Sequence, residues 1–261
     1  GGNVNVSGNL TAIGSTADIS ASAGNINVGG TTRARAFSDT ATVEMDATGS
    51  ITTAGISAEG STGLVDIYAS NNVAINGNVS VSGTSDAQFN AVGNNNFTLN
   101  GSVNVTEAGG GYAKARLGAD NGVAVINGNI NVIAGPGGFA SVLFGSSEGG
   151  FLNNLNNLVL NNRVFARGGS GSQIQINAEN SARTAGGGLL QADSVAIRTK
   201  GSSPLIDLDT KASQIFVDVF GGATNLTVNN STHVGPTSIF MNGGNFRSAT
   251  VLSNFNLNFF G

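Results

Sequence analysis

Gly77-Asn78-Val79-Ser80-Val81-Ser82-Gly83 (GNVSVSG) alternates aliphatic residues with short polar ones between two glycines. Near-copies stand at Gly2–Gly8 (GNVNVSG), Gly24–Gly30 (GNINVGG) and Gly128–Gly135 (GNINVIAG). Alternation with period two puts successive side chains on opposite faces of a strand. A helix would instead need apolar residues at i, i+3, i+4 and i+7 over about a dozen positions, a pattern that no stretch of the chain offers.

The phrase recurs at a regular distance. Taking the first alternating run after each Gly/Asn break gives Val4, Ile26, Ile51, Val73, Phe97 and Val123, with spacings of 22, 25, 22, 24 and 26 residues. A second series, Ile19, Met45, Ile67, Phe89 and Leu117, and a third, Leu10, Ile56, Val79, Val103 and Ile130, drift around the same period. Each unit of about 24 residues therefore holds three runs of three to five residues, separated by Gly, Asn, Ser or Asp. Three short strands and three corners per repeat describe a right-handed parallel β-helix, in which inward Val, Ile and Leu form continuous ladders because one coil alone cannot bury them. At ~4.8 Å per coil, ten or so coils make a prism about 50 Å long. Gly and Asn at the breaks are expected to supply positive φ at the corners. The scarcity of Pro, 3 in 261 residues, fits strands that donate hydrogen bonds on both sides.

One continuous solenoid over residues 1–261 is expected, with two textures. Residues 1–135 repeat tightly and hold only Phe37, Phe89 and Phe97; residues 136–261 hold the other eleven Phe and repeat more loosely. Asn153–Asn162, Ser172–Asn177, Ser194–Thr199, Leu205–Thr210, Gln214–Phe220, Asn225–Asn230 and Phe255–Phe260 still read as strands. Gly109–Tyr112, Gly135–Phe139, Gly168–Ser172 and Ala185–Gly188 read as longer loops around a fatter core.

Composition removes several function classes. Charged residues make up only 10%, and the net charge of −4 with scattered Lys and Arg argues against nucleic acid. The nearest approaches to a basic patch, Arg33 with Arg35 and Lys114 with Arg116, are pairs at alternate positions, as on solvated strand faces. Cysteine is absent, which removes disulfides, thiolate metal sites and Cys nucleophiles together. No stretch approaches the ~18 apolar residues of a membrane span, and the first residues lack the basic and apolar regions of a signal peptide.

Chemistry is equally sparse. The lone His233 cannot make a His-based metal site, and Ser-His-Asp catalysis would have to route through it. No strained nucleophile turn of the G-x-S-x-G type is expected in the chain. Asp207 and Asp209 share the outer face of LIDLDT, and Glu44 and Asp46 flank Met45 in the same way. Such pairs can hold a divalent cation through oxygen, but they read first as solvated acidic spots. Phosphate-loop patterns and the calcium nonapeptide are absent. Asn-x-Ser/Thr triplets at Asn78, Asn96, Asn104 and Asn225 follow from a chain with 35 Asn, whose amides are expected to stack between coils. No catalytic residue, metal ligand or cofactor is assigned.

The Gly-Asn-[Val/Ile]-x-Val-x-Gly phrases, the Asn/Ser/Thr alternation, the absence of Cys and the low charge resemble the filamentous-haemagglutinin-like adhesins of bacteria, most closely over Gly1–Ala134. The resemblance implies a non-enzymatic secreted shaft of the two-partner secretion type. Such a shaft sits at the bacterial surface and acts in attachment to host or neighbouring cells and their glycans, in cell–cell contact or in biofilm. The repeat is longer than that family's own, and its Asn-Pro-Asn-Gly secretion module is missing. Uncapped repeats at both ends suggest continuation in a longer chain or end-to-end stacking of copies. The alternatives are a self-assembling filament subunit, an ice-binding solenoid, or a pectin lyase-like carbohydrate-active enzyme. The enzyme would display clustered Asp, Arg and Lys with aromatic platforms, whereas this chain scatters ten Asp and has no Trp.

Overall fold

The computed structural model describes residues 2–145, 155–243, 246–254 and 256–260. They form 27 strands, all paired in parallel. The strands lie in three ladders that each coil visits in turn. The first coil comprises Val4–Val6, Leu10–Gly14 and Ala17–Ala23; two coils later the visits fall within Ile51–Glu59, which bends through two ladders, and Thr62–Ala69. The chain is thus a parallel β-solenoid with three short strands per coil, as the repeat predicts.

The third ladder runs unbroken from Ala17–Ala23 to Leu257–Phe260 through ten successive pairings. One inward column on it passes through Ile19, Val43, Val65, Phe89, Ala115, Val142, Ile174, Val195, Ile215 and Ile239. Read as repeat lengths, these steps are 24, 22, 24, 26, 27, 32, 21, 20 and 24 residues. The longest coil is the one that includes residues 146–154, and the two after it are the shortest. Among the described residues, 59 aliphatic, Met and Phe side chains are buried in one continuous cluster, which makes a core one coil cross-section wide running along the stack.

Side-chain size is balanced from coil to coil. Phe89 is followed on its column by Ala115, and Phe97 by Ala124, so each ring takes space that the next coil leaves. Among the described residues the fully buried phenylalanines are Phe89, Phe97 and Phe144. Among the described residues of the second half, Phe144 is buried and Phe246 packs against the core, whereas Phe165, Phe216 and Phe240 point outward and Phe220 and Phe260 are exposed, so most of the added rings there do not thicken the core as expected. They follow polar-face parity, because in each strand the alternate residues already fill the interior.

The corners work differently from the expectation. No residue other than Gly has positive φ among those described, and the glycines that do are Gly110, Gly137, Gly145, Gly171, Gly186, Gly187, Gly235 and Gly243. The recurrent corner glycines Gly77, Gly101 and Gly128 are not among them. They are required for clearance: a Cβ on Gly77 would collide with the Ala54 carbonyl oxygen, one on Gly101 with that of Gly77, and one on Gly128 with that of Gly101. Coils at strand spacing leave no room for a side chain pointing along the axis. All three prolines lie outside strands.

The second ladder is shorter than the other two. It ends where Leu190–Gln191 pairs with Thr210–Lys211. In the next coil the chain turns at Ser231–Pro236 instead of forming a strand there. The buried side chain of Asn230 takes the strand's place: its Oδ1 accepts from Ala212 N–H at 3.0 Å and its Nδ2 donates to the Ala212 carbonyl at 3.0 Å. Thr210 Oγ1 donates to the same Oδ1 at 3.0 Å, and Nδ2 also donates to Thr237 Oγ1 at 2.8 Å. A side-chain amide, like a peptide group, offers one donor side and one acceptor side, so it closes the ladder edge.

Candidate functional surfaces

Asparagines link the coils along the corners. Asn100 Nδ2 donates to Asn76 Oδ1 at 2.9 Å, Asn127 to Asn100 at 2.8 Å, and Asn161 to Asn127 at 2.7 Å. Single amide pairs join Asn95 to Asn71, Asn96 to Asn72, Asn121 to Asn94 and Asn131 to Asn104. The glycosylation-like triplets are part of the same system: Asn78 Oδ1 accepts from Ser102 N–H, and Asn225 Oδ1 from Ser248 Oγ. These are the stacked amides expected from composition, and each satisfies polar groups at the coil edges.

The acidic pairs lie where alternation places them. Asp207 and Asp209 face outward while Ile206 and Leu208 are buried. Asp209 is held between neighbouring coils: Oδ1 accepts from Asn229 Nδ2 at 2.8 Å, and Oδ2 from Thr184 Oγ1 at 3.4 Å. Asp207 stands between Arg183 and Thr227. Glu44 and Asp46 flank the buried Met45 on the outer face, with Asp66 and Tyr68 beside them in the next coil. Among the described residues no three carboxylates or imidazoles converge on one point. His233 sits half-buried on the turn after Asn230, its N–H bonded to the Asn230 carbonyl at 3.1 Å.

Several of the basic residues are engaged locally. Arg33 and Arg35 both reach Glu59, at 3.7 and 3.2 Å, and the Arg35 guanidinium lies 5.7 Å from the Phe37 ring centre. Lys114 Nζ is 4.4 Å from the centre of the Tyr112 ring, Arg163 stacks on Phe165 and bonds Gln191, and Arg198 pairs with Asp218 at 3.2 Å. Half-buried Asp120 has its pKa pushed up by burial, with the Arg116 guanidinium pulling it part of the way back. Exposed pairs of this kind contribute little energy, but they leave no concentrated positive field.

Two features escape sequence reasoning. Phe216, Phe240 and Phe260 form an outward stack on the third ladder, with ring centres 4.7 and 4.9 Å apart and interplanar angles of 8° and 17°. The faces that the rings turn toward one another are spent within the stack. The other is Glu107, 1% exposed at the end of Val103–Glu107. Burial would raise its pKa. The N–H groups of Gly111, Gly109, Gly135 and Gly110 outweigh burial and hold the carboxyl below the ordinary glutamate range. Gly110 has φ +103°, and a Cβ on Gly138 would come within 2.9 Å of the carboxylate, so both glycine loops are shaped around this one anion. The clue in sequence is parity: in VNVTE the glutamate takes the inward position after Val103 and Val105.

One string, Gly145-Ser146-Ser147-Glu148-Gly149, does match the G-x-S-x-G spacing. Ser146–Gly149 lie outside the described residues, and the flanking elements Phe139–Phe144 and Leu155–Leu160 are both strands. Phe255 lies outside the described residues too, as do Asn153 and Asn154. Among the described residues no helix is long and apolar enough to cross a membrane.

Comparison with protein-family models, with curated proteins and with solved structures yields no match.

Proposed function

We propose that the chain is a segment of a non-enzymatic bacterial surface shaft, secreted and used in attachment, cell–cell contact or biofilm. The observation that supports this reading is the unbroken third ladder, which stacks about ten coils into one continuous solenoid. A stack of this kind is a spacer by construction: each coil contacts only its neighbours, and length is added without changing cross-section. The outer faces fit the same role. Several of their charges are tied in local pairs and their corner amides run along the axis, which favours broad, weak contact over a single deep site. A self-assembling filament built of the same coils is the nearest alternative.

Beads coated with the purified chain and presented to bacterial and epithelial cell layers test the reading. Adherence well above that of albumin-coated beads supports a shaft that binds. Adherence equal to the albumin control, together with long fibres of uniform width in unstained electron micrographs, transfers the proposal to a filament subunit. Equal adherence with turnover of soluble polysaccharides by the protein would overturn both in favour of a β-helical carbohydrate-active enzyme.

A further inference from the structure

We propose that Asn76, at the free end of the corner amide ladder, is a site of spontaneous covalent modification, and that membership of the ladder shields the equivalent Asn100 and Asn127. The three corners are chemically alike: Ile75-Asn76-Gly77, Leu99-Asn100-Gly101 and Ile126-Asn127-Gly128. An Asn followed by Gly can cyclise. The glycine backbone nitrogen attacks the Asn Cγ, a C–N bond forms, the Cγ–Nδ2 bond breaks and ammonia leaves. Water then opens the succinimide at one carbonyl or the other, giving aspartate or isoaspartate. The missing Cβ of the glycine is what lets the nitrogen approach.

The nucleophile does not distinguish the corners. Among the described residues the N–H groups of Gly77, Gly101 and Gly128 donate to no backbone carbonyl. The leaving nitrogen does distinguish them. Asn100 Nδ2 is held by Asn76 Oδ1 and Asn127 Nδ2 by Asn100 Oδ1, at 2.9 and 2.8 Å. Swinging either Cγ toward its glycine breaks that bond. Asn76 comes first in the series and follows Ala54 of the preceding coil, against whose carbonyl Gly77 lies and whose side chain has no acceptor. Its Oδ1 accepts from Asn100, while its own amide nitrogen has no acceptor among the described residues, and the residue is exposed. Asn161, the fourth rung, is followed by Asn162 and so lacks the glycine.

The products differ in the same way. Aspartate at 76 still accepts from Asn100, now through a charge-assisted bond. A carboxylate at 100 or 127 would set oxygen against the oxygen of its neighbour. Ladder polarity therefore directs both where the reaction starts and where the structure tolerates the result: a new negative charge at one end of the amide row.

Incubating the folded protein at mildly alkaline pH and locating the amide-to-acid mass change by site-resolved fragmentation tests this directly. Conversion at Asn76 should run about tenfold faster than at Asn100 or Asn127, the factor that one net hydrogen bond supplies. Ala54→Asn provides a second arm, because position 54 also precedes a glycine. The added rung should slow conversion at Asn76 and move the reactive end to position 54. Equal conversion at the three corners, faster conversion at Asn100 or Asn127, or none at Asn76 while the urea-unfolded chain reacts there, would each overturn the proposal.

Discussion

Single inward positions show what a one-coil-wide core tolerates. Thr32 sits between Leu10 and Ile56 on the second ladder, and Thr53 between Val28 and Ile75 on the first. Both are fully buried, and neither Oγ1 finds a partner among the described residues. A desolvated hydroxyl without a hydrogen bond costs roughly 1–3 kcal/mol, and valine has nearly the same shape. Thr32→Val and Thr53→Val should therefore each stabilise the fold by about 1 kcal/mol, read as a higher urea midpoint at unchanged m; a lower midpoint for either would show that the hydroxyl is satisfied. Glu107 is the opposite case, a buried charge fully surrounded by donors. Its folded pKa lies below the ordinary value, so it contributes stability at pH above the unfolded glutamate value, about 4.3, and loses it as pH falls through the folded value. Glu107→Gln should cost about 1–2 kcal/mol at neutral pH, and the gap to the parent should close as pH drops below ~4. A gap that stays constant across that range would mean the carboxylate's charge is not what the loops recognise.

At the scale of strands and corners, the question is how ladders begin, bend and end. The third-ladder strands carry on past the point where the second ladder stops, and Asn230 makes that stop sound by bonding both polar groups of Ala212. Asn230→Ala would leave Ala212 N–H and C=O and Thr237 Oγ1 without this partner, and Thr210 Oγ1 with only its 3.5 Å bond to the Asn229 carbonyl. It should destabilise the protein by about 3 kcal/mol. Asn230→Asp, which keeps the acceptor and loses the donor, should fall between the parent and the alanine variant in denaturant midpoint; an alanine variant as stable as the parent would sink the capping role. These elements also mark how far the sequence could be read. Leu10, Ile56, Val79, Val103 and Ile130 do form one stack, and the rung missing from that series is Thr32, invisible because it is polar. The series Ile19, Met45, Ile67, Phe89, Leu117 lies on a single ladder but slips by two residues: Phe89 pairs with Val65 and Ala115, while Leu117 pairs with Ala91. Likewise Phe97 pairs with Ala124, not Val123. Seeking the bulkiest residue fails where alanine completes a phenylalanine. Acidic pairs and stacked amides could be read because they follow outward parity; parity also places Glu107 inward, but the roles of Glu107 and Asn230 rest on backbone groups that only the folded loop and the adjacent coil bring to them.

For the whole molecule, the consequence of stacking is that the repeat, not the chain, is the unit of structure. Interactions run between neighbouring coils, so stability is close to a sum of coil terms and interfaces, and one complete coil can be removed if the register of all three ladders is preserved. The amide ladder marks the cut. Asn76 and Asn100 are 24 residues apart and hydrogen-bonded in the same corner. Deleting Gly77–Asn100 joins Asn76 to Gly101 and recreates the Asn-Gly corner. On the first ladder Val73 then meets Ala124, on the second Ile56 meets Val103, and on the third Val65 meets Ala115, each an inward pair. The shortened chain should keep a β-rich circular dichroism spectrum and a cooperative transition, with an m-value lower by about a tenth, in proportion to the surface lost. Deleting Gly77–Gln88 instead removes half a coil: it drops the second-ladder strand Val79–Gly83 and leaves Val103 with no rung to rest on. That variant should lose the cooperative transition. If both deletions fold equally well, the coils are not locked in register and the solenoid's stability does not come from its ladders.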